Sequence, residues 1–512
     1  MDFSIFETMI IPTAGYGIVG CLVSWLVTFY LLKFRIGRAN SEKPQHHHTH
    51  TKAIPRIGGM GMVVGLLFIH LLFFIQSSYS GGTLLVHFAV MGGALASFAL
   101  GIIDDFKPLG AKLKLLIQVV IAIAVYQCGL TIDRVTIPFT DTILELEFFG
   151  LLFTVLWFVA MMNLINLIDG LDGLAGGIGL MLMVLLAYLG VRQGGQFSSV
   201  LAIGMIGVIF GFLLHNFPPA KCYMGDSGAY LIGYMIAALS LLNSQKGAVM
   251  AAMIAPVMAL ALPILDVAYA LLRRGLRGLP LFRPDRGHIH HLLIKTGLSR
   301  KHAVLVLYGI SLISLIGGLI VFVENGRHLP VFFGFAFVVL IFVLRGQNVS
   351  TNSFLVFLTD SLQSRKEVRN ALYLRDWLVA EAERADSVAH LWSDFQFVLR
   401  KIGICRAELT IANETREFYI PNTPTKGSDG LWEGTHEVKQ TQNPLLLKLY
   451  GEKDNFSESQ FTLVADIAAE TWCNTCQKWE TINECPADFD AIGKEPESYQ
   501  EQKSRNLYRP TY

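Results

Sequence analysis

The sequence predicts an all-α polytopic membrane protein with about eleven transmembrane helices, followed by a small C-terminal α/β domain. Of the 512 residues, 53% are hydrophobic and 16% are charged, whereas a soluble domain carries roughly 25% charged residues. The long apolar runs are confined to residues 1–345, and residues 346–512 have the mixed composition of a soluble protein. We therefore expect one membrane domain over 1–345 and one appended soluble part.

The predicted spans follow from the length of the apolar runs. A transmembrane helix needs about 20 mostly apolar residues. Runs of about this length lie at 12–32, 60–77, 84–103, 114–130, 147–167, 174–191, 197–215, 228–243, 248–271, 303–323 and 329–345.

The distribution of lysine and arginine predicts the orientation. These residues concentrate in the loops after odd-numbered spans, and the opposite loops hold only Arg134, Arg192, Lys246 and Arg327. Loops rich in lysine and arginine stay in the cytoplasm. The N-terminus is therefore predicted to lie outside, and the C-terminal domain in the cytoplasm.

Charge and cysteine content argue against other classes of protein. The net charge of +1 gives no sign of nucleic-acid binding. The seven cysteines are scattered, which argues against a disulfide framework. Cys473 and Cys476 form a CxxC pair without a second pair, so a zinc site is not expected there.

Unusual polar residues recur at the predicted cytoplasmic ends of the spans. Adjacent acids at membrane depth are costly and usually mark function. The residues that share this face are Asp104, Asp105, Asn163, Asn166, Asp169, Asp172, Asp226, His288, His290 and His291.

This cluster predicts a metal-dependent site for a phosphorylated substrate. Carboxylates near one point repel one another unless a cation neutralises them, and hard oxygen ligands favour Mg²⁺, with Mn²⁺ as the alternative. Such an ion stabilises charge in phosphoryl transfer. Lys52, Lys114, Arg283 and Arg286 supply counter-charge for a diphosphate.

Each feature also has an ordinary structural explanation. Asn163 and Asn166 can hydrogen-bond between helices, Asp226 can cap a helix, and the histidines can bind a transition metal. A transporter also carries intramembrane acids, but its site lies near the bilayer midplane and often between internal repeats. We see no repeat in this sequence.

Five motifs resemble those of the polyprenyl-phosphate N-acetylhexosamine-1-phosphate transferases. This family, of the glycosyltransferase family 4 type, includes UDP-GlcNAc:undecaprenyl-phosphate GlcNAc-1-phosphate transferases and the muramyl-pentapeptide transferases. The resemblance covers residues 12–345. Its motifs are PRIGG at 55–59, GIIDDFKPLGAKLKLL at 101–116, NLINLIDGLDGLAGG at 163–177, MGDSG at 224–228 and RPDRGHIHHLL at 283–293.

The resemblance implies roles for individual residues. Asp104 and Asp105 are expected to be catalytic and to meet the polyprenyl phosphate, and Asp226 with Asn166 to hold the metal. The residues expected to bind substrate are Lys52, Lys114, Asn163, Asp169, Asp172, Arg283, Arg286, His288, His290 and His291.

The resemblance also implies a reaction in a bacterial inner membrane. The enzyme is expected to transfer an N-acetylhexosamine 1-phosphate from a UDP-sugar to undecaprenyl phosphate, which releases UMP and starts a cell-surface glycan. The form RPDRGHIHH favours UDP-GlcNAc, with a muramyl-pentapeptide substrate as the alternative. Direct attack by the lipid phosphate and a route through an aspartyl-phosphate both stay open. Further expected partners are membrane lipids and a second copy of the chain.

The part after the last span is expected to comprise a linker over 346–370, an α/β domain over 371–482 and a disordered tail over 483–512. Periodicity predicts helices from Ala371, over 388–401 and over 461–479, with strands at 406–412, 417–420 and 445–450. This order is similar to a GAF-like sensor domain, which favours a regulatory ligand or a protein partner. The histidine-rich residues 46–50 predict a solvated cytoplasmic loop, with a transition-metal site as the alternative.

Overall fold

The computed structural model describes residues 3–35, 54–77, 81–136, 143–244, 256–258, 260–279, 293–294, 297–323, 353–411, 414–420, 430–440 and 443–483. The chain divides into two compact units. The first comprises residues 1–43, 52–271 and 284–350, and the second comprises 44–51, 272–283 and 351–512.

The first unit is helical, as its apolar composition predicts. Its helices are α1 (Phe3–Lys33), α2 (Gly58–Gln76), α3 (Gly81–Phe106), α4 (Ala111–Gln127), α5 (Phe148–Ile168), α6 (Leu174–Arg192), α7 (Gln196–Asn216), α8 (Gly225–Ser244), α9 (Ala261–Arg277) and α10 (Arg300–Val323). The last residues of α9 belong to the second unit.

A multi-pass membrane protein is confirmed, but the count of eleven spans is not. Among the described residues, eight helices are long and apolar enough to cross a membrane: Pro12–Lys33, Gly58–Gln76, Leu84–Phe106, Phe149–Ile168, Leu174–Arg192, Gln196–Asn216, Gly225–Asn243 and Arg300–Gly317. The fourth predicted span is α4, a shorter helix of 17 residues. The predicted span at 329–345 lies outside the described residues, as does the first third of the one at 248–271.

Helix α8 lies at the centre of the first unit. In its membrane segment 89% of the residues are buried. The Tyr234 hydroxyl donates a hydrogen bond to the Ala89 carbonyl at 2.9 Å, and the Trp157 indole donates to the Ser240 hydroxyl at 3.0 Å. Polar groups buried in such a core need partners, because an unpaired group would carry the full cost of its lost hydration. These bonds join α8 to α3 and α5.

A short hairpin joins α4 to α5 and was not predicted. Strand β1 (Arg134–Thr136) pairs antiparallel with β2 (Ile143–Glu145). Arg134 and Glu145 form an ion pair at 3.2 Å, with both side chains exposed. The ion pair is therefore a minor contribution to stability.

The second unit has helices around an antiparallel sheet. Its helices are α11 (Ser353–Glu381), α12 (Val388–Lys401) and α13 (Glu458–Asn483), and its strands are β3 (Ile404–Ile411), β4 (Glu414–Tyr419), β5 (Leu431–Gln440) and β6 (Asn443–Glu452). The strand order is β4-β3-β6-β5. Much of the core is aromatic: Phe395 stacks on Trp472 with ring centroids 5.0 Å apart, and Trp392 meets Trp472 edge-on at 5.2 Å.

The secondary structure of this unit agrees with most of the periodicity analysis. The helix predicted over 388–401 is α12, and α13 contains the helix predicted over 461–479. Strand β5 was missed, and α11 begins within the segment expected to be a linker. The GAF-like assignment and the domain boundaries stay predictions.

Candidate active site

The two adjacent aspartates at the end of α3 make different contacts. Asp104 Oδ1 accepts a hydrogen bond from the Leu109 main-chain N–H at 2.7 Å, and its Oδ2 accepts from Lys114 Nζ at 3.0 Å. Asp105 accepts from two main-chain N–H groups, Asp226 at 2.9 Å and Ser227 at 3.1 Å. Asp104 therefore faces a cation, whereas Asp105 holds the first turn of α8.

The start of α8 explains why Asp105 lies where it does. The first N–H groups of a helix have no partner within the helix and attract a carboxylate. Gly225 opens α8 with φ +73°, a conformation that side chains rarely adopt, and a Cβ there would lie 2.5 Å from Asp105 Oδ2. Glycine at this position thus permits both the turn and the close approach of Asp105.

Lys114 links two carboxylates that are far apart in sequence. Its Nζ lies 3.0 Å from Asp104 Oδ2 and 3.3 Å from Asp226 Oδ2. The other oxygen of Asp226 accepts a hydrogen bond from Asn166 Nδ2 at 2.9 Å. Residues from α3, α4, α5 and α8 therefore meet at one place.

The segment that carries Asp226 is held by the PRIGG motif. Arg56 and Tyr223 form a parallel β-bridge, in which the Tyr223 N–H donates to the Pro55 carbonyl at 2.9 Å and the Gly58 N–H donates to the Tyr223 carbonyl at 3.0 Å. The Gly59 N–H donates to the Met224 carbonyl at 3.1 Å. The segment leading into α8 is thereby fixed to the segment leading into α2.

Asp169 lies just beyond the end of α5, close to the other acids. Burial, together with repulsion from Asp226 and Asp105, raises the pKa of its carboxyl to about 8, although the positive charge of Arg56 opposes this rise. A carboxyl with such a pKa is mostly protonated at neutral pH. A divalent cation bound nearby would lower this pKa and favour the ionised carboxylate.

Asp172 and Asn163 are close in sequence to Asn166 and Asp169, but their hydrogen bonds go to other residues. Asp172 Oδ2 accepts from the Ala220 N–H at 3.1 Å. Asn163 Nδ2 donates to Gln118 Oε1 at 2.6 Å and to the Val159 carbonyl at 2.8 Å. The contact with Gln118 joins α5 to α4, as the structural explanation of Asn163 predicts, and a substrate role for either residue stays a prediction.

The other predicted substrate-binding residues lie outside the described residues. They are Lys52, Arg283, Arg286, His288, His290 and His291, and the histidines at 46–50 also lie outside.

The donor set fits a hard divalent cation. Among the described residues, no group of three or more His, Cys, Asp and Glu side chains is already arranged to hold a metal ion. However, Asp226, Asp104 and the Asn166 amide offer oxygen atoms from three helices, and the Lys114 ammonium already supplies positive charge between Asp104 and Asp226. Oxygen donors without sulfur are the ligands that Mg²⁺ prefers.

An apolar groove of about 690 Å³ lies beside the Asp172 turn. Its lining includes Leu180, Phe210, Leu213 and Tyr308 from α6, α7 and α10. The Tyr308 hydroxyl donates to the Gly173 carbonyl at 2.5 Å. The groove therefore borders the polar turn that carries Asp172.

Comparison with known proteins decides the family. Residues 87–244 match the glycosyl transferase family 4 profile. A protein of Bacillus subtilis named "Probable undecaprenyl-phosphate N-acetylglucosaminyl 1-phosphate transferase" is 36% identical over 303 residues, which cover 59% of this chain and 83% of that protein. The chain belongs to glycosyl transferase family 4.

Two other proteins are similar to a comparable part of this chain. The decaprenyl-phosphate N-acetylglucosaminephosphotransferase of Mycolicibacterium smegmatis is 30% identical over 353 residues, 64% of this chain and 86% of that protein. The phospho-N-acetylmuramoyl-pentapeptide-transferase of Listeria monocytogenes is 32% identical over 300 residues, 56% of this chain and 90% of that protein. The family therefore includes phosphotransferases with different sugar substrates.

Sequence reasoning missed Arg56 and the hydrogen-bonding role of Asp105. Arg56 lies in the lysine- and arginine-rich loop after the first predicted span, and its position in PRIGG was the signal that could have distinguished it. The contact of Asp105 with the start of α8 had no local signal, because the two segments are 121 residues apart.

Proposed function

We propose that this family 4 enzyme transfers N-acetylglucosamine 1-phosphate from UDP-N-acetylglucosamine to a polyprenyl phosphate and releases UMP. The observation that carries the proposal is the meeting of Asp104, Lys114, Asn166 and Asp226 at one end of four helices. Phosphoryl transfer is catalysed mainly by positioning and by charge stabilisation, and this arrangement supplies both. Two similar proteins carry names with N-acetylglucosamine as the sugar and a prenyl phosphate as the acceptor.

In the reaction, an oxygen of the acceptor phosphate forms a bond to the β-phosphorus of the UDP-sugar. The bond from that phosphorus to the bridging oxygen breaks, and UMP leaves with the bonding electrons. A phosphomonoester has its second pKa near 6 and is mostly a dianion at neutral pH. The acceptor therefore needs orientation more than deprotonation, and we favour direct attack over an aspartyl-phosphate intermediate.

The residues of the cluster are proposed to have different roles in this reaction. Asp104 lies where it can orient the acceptor phosphate and take up a residual proton, and Lys114 beside it can bind a phosphate oxygen. Asp226, with Asn166 and Asp104, would hold Mg²⁺, which when bound neutralises the diphosphate. Asp169 and Asp172 are proposed to bind the nucleotide part, and Asn163 and the residues outside the described ranges keep their predicted substrate roles.

The proposed setting is the bacterial inner membrane, with the site on the cytoplasmic face. The similar proteins named above are bacterial, and the arginine and lysine distribution supports the orientation. The acceptor is a lipid and must reach the site from the bilayer, where the apolar groove beside Asp172 offers a surface of suitable polarity. The C-terminal α/β domain is proposed to bind a regulatory ligand or partner.

A panel of UDP-sugars tests the function directly. Protein purified in detergent is incubated with Mg²⁺, polyprenyl phosphate and one UDP-sugar at a time, and UMP release and the mass of the lipid product are measured. UDP-N-acetylglucosamine should give polyprenyl-diphosphate N-acetylglucosamine. Reaction only with the UDP-muramyl-pentapeptide would identify the enzyme as a phospho-N-acetylmuramoyl-pentapeptide transferase, the activity in the name of the Listeria protein. Absence of UMP release with every sugar would favour a transporter.

Two further experiments separate the routes and test the metal. Sugar phosphate attached to the protein after incubation with UDP-sugar alone would contradict direct attack. Removal of divalent cations with EDTA should abolish transfer, and added Mg²⁺ should restore it. Full activity in EDTA would contradict the proposed role of Asp226.

A further inference from the structure

Arg56 lies at the junction of the two segments that carry the site. Arg56 pairs with Tyr223 in the parallel bridge. The main chain at Pro55, Gly58 and Gly59 forms hydrogen bonds with the main chain at Tyr223 and Met224. These bonds bring the main chain at Arg56 next to the segment that precedes Asp226.

The charge of Arg56 acts on the acids that Lys114 does not contact. Lys114 bonds to Asp104 and Asp226. Arg56 attracts Asp105 and Asp169 electrostatically. The positive charge of Arg56 therefore adds to that of Lys114 in this cluster of acids.

The electrostatic attraction between Arg56 and Asp105 leads back to Asp226. Both oxygens of Asp105 are occupied by the N–H groups of Asp226 and Ser227. An arginine that orients Asp105 therefore acts on the same segment that its own main chain holds through Tyr223. Residues 223–227 are fixed from two sides, at Tyr223 by the main chain and at Asp226 and Ser227 through Asp105.

We propose that Arg56 is a positioning residue of the transfer reaction, which places Asp226 by orienting Asp105 while its main chain fixes Tyr223. This rests on the proposed function. It differs from a substrate-binding role, since Arg56 then affects the rate of the chemical step rather than the affinity for the UDP-sugar. A positioning error of about 1 Å is enough to cost on the order of 100-fold in rate.

Because the bridge is formed by the main chain, substitution of the Arg56 side chain should leave the bridge in place. The substitution therefore tests the effect of the Arg56 charge. Arg56→Gln should lower kcat by about tenfold or more, with KM for the UDP-sugar changed by less than about threefold. Arg56→Lys keeps the charge and should recover part of kcat. The matched control is Arg134→Gln, because Arg134 lies on the exposed hairpin and pairs only with Glu145 among the contacts described. It should retain wild-type kinetics.

A double-mutant cycle with Asp105 tests the route of the effect. If Arg56 acts through Asp105, Arg56→Gln should lower the Tm of the wild type more than that of the Asp105→Asn variant, and the losses of kcat should likewise be less than additive. Equal Tm shifts in both backgrounds, a kcat close to that of the wild type, or a change in KM alone would each overturn the proposal.

The Tm cycle separates the two hypotheses, because it needs no activity. Absence of UMP release by the wild-type protein would contradict the proposed function, while coupling of Arg56 to Asp105 in Tm would still establish that Arg56 acts on Asp105. If Arg56→Gln does not fold, Arg56→Lys takes its place in the cycle. It should then show a smaller coupling of the same sign, and no coupling would count against the proposal.

Discussion

Asp226 is the residue on which the proposed chemistry depends most. One of its oxygens faces Lys114 and the other faces Asn166, so replacement by an amide removes the negative charge while keeping the size. Asp226→Asn should lower transfer by roughly 100-fold or more, without loss of expression. The control is Asp133→Asn, an exposed aspartate that contacts Thr131. Near-normal UMP release by Asp226→Asn would contradict a metal role.

The adjacent aspartates should differ when each is changed to asparagine. Asp104→Asn removes a charge that faces Lys114 and should reduce kcat with little change in Tm. Asp105→Asn weakens the bonds to the first turn of α8, an interaction of about 1 kcal/mol for a helix cap, and should lower Tm as well as activity. Thermal unfolding and UMP release, measured together on both variants, test this. Similar Tm values for the two variants would refute the division of roles.

Helix boundaries show how far the sequence alone predicts the elements. The spans expected at 174–191 and 197–215 match Leu174–Arg192 and Gln196–Asn216 to within a residue or so, because an apolar run of this length satisfies its own backbone groups in lipid by forming a helix. Strand β5 was missed since Glu433, Gly434 and Thr435 weaken its apolar pattern, and it forms through pairing with β6.

Some residues of the candidate site can be recognised from the sequence, but the contacts between them cannot. Asp104, Asn166 and Asp226 follow from the position of polar residues at the ends of apolar spans. The contacts of Asp105 with Ser227, and of Gly58 with Tyr223, depend on how helices that are distant in sequence pack. Hydropathy carries no information about such pairs.

The CxxC pair in α13 is predicted to be chemically inert. Cys473 and Cys476 are both buried, and desolvation raises the pKa of both thiols, that of Cys476 well above its usual value. Since the thiolate is the reactive form, iodoacetamide at pH 8 should not label either residue in the folded protein. Peptide mass spectrometry measures this, with protein unfolded in guanidinium as the control. Rapid labelling of folded protein would reveal an exposed redox or metal-binding pair.

At the scale of the whole molecule, the similar Bacillus protein is shorter than this chain. The 303 aligned residues are 83% of its length, which makes it about 365 residues long. The difference from 512 residues is close to the length of the chain from residue 351 onward. The site residues described above all belong to the first unit.

Deletion of residues 351–512 should therefore leave the transfer reaction intact. The acids, Lys114 and Arg56 lie before residue 351, so kcat for N-acetylglucosamine 1-phosphate transfer should stay within about threefold of the full-length value, while any dependence on a regulatory ligand should disappear. UMP release by both proteins in the same detergent measures this. The control is the full-length chain with Phe395→Ala, which opens a cavity in the core of the second unit. In this variant the second unit is present but destabilised. A truncated protein that folds with the wild-type Tm of the membrane part yet loses transfer would show that the α/β domain takes part in catalysis, since the site residues would be intact but insufficient.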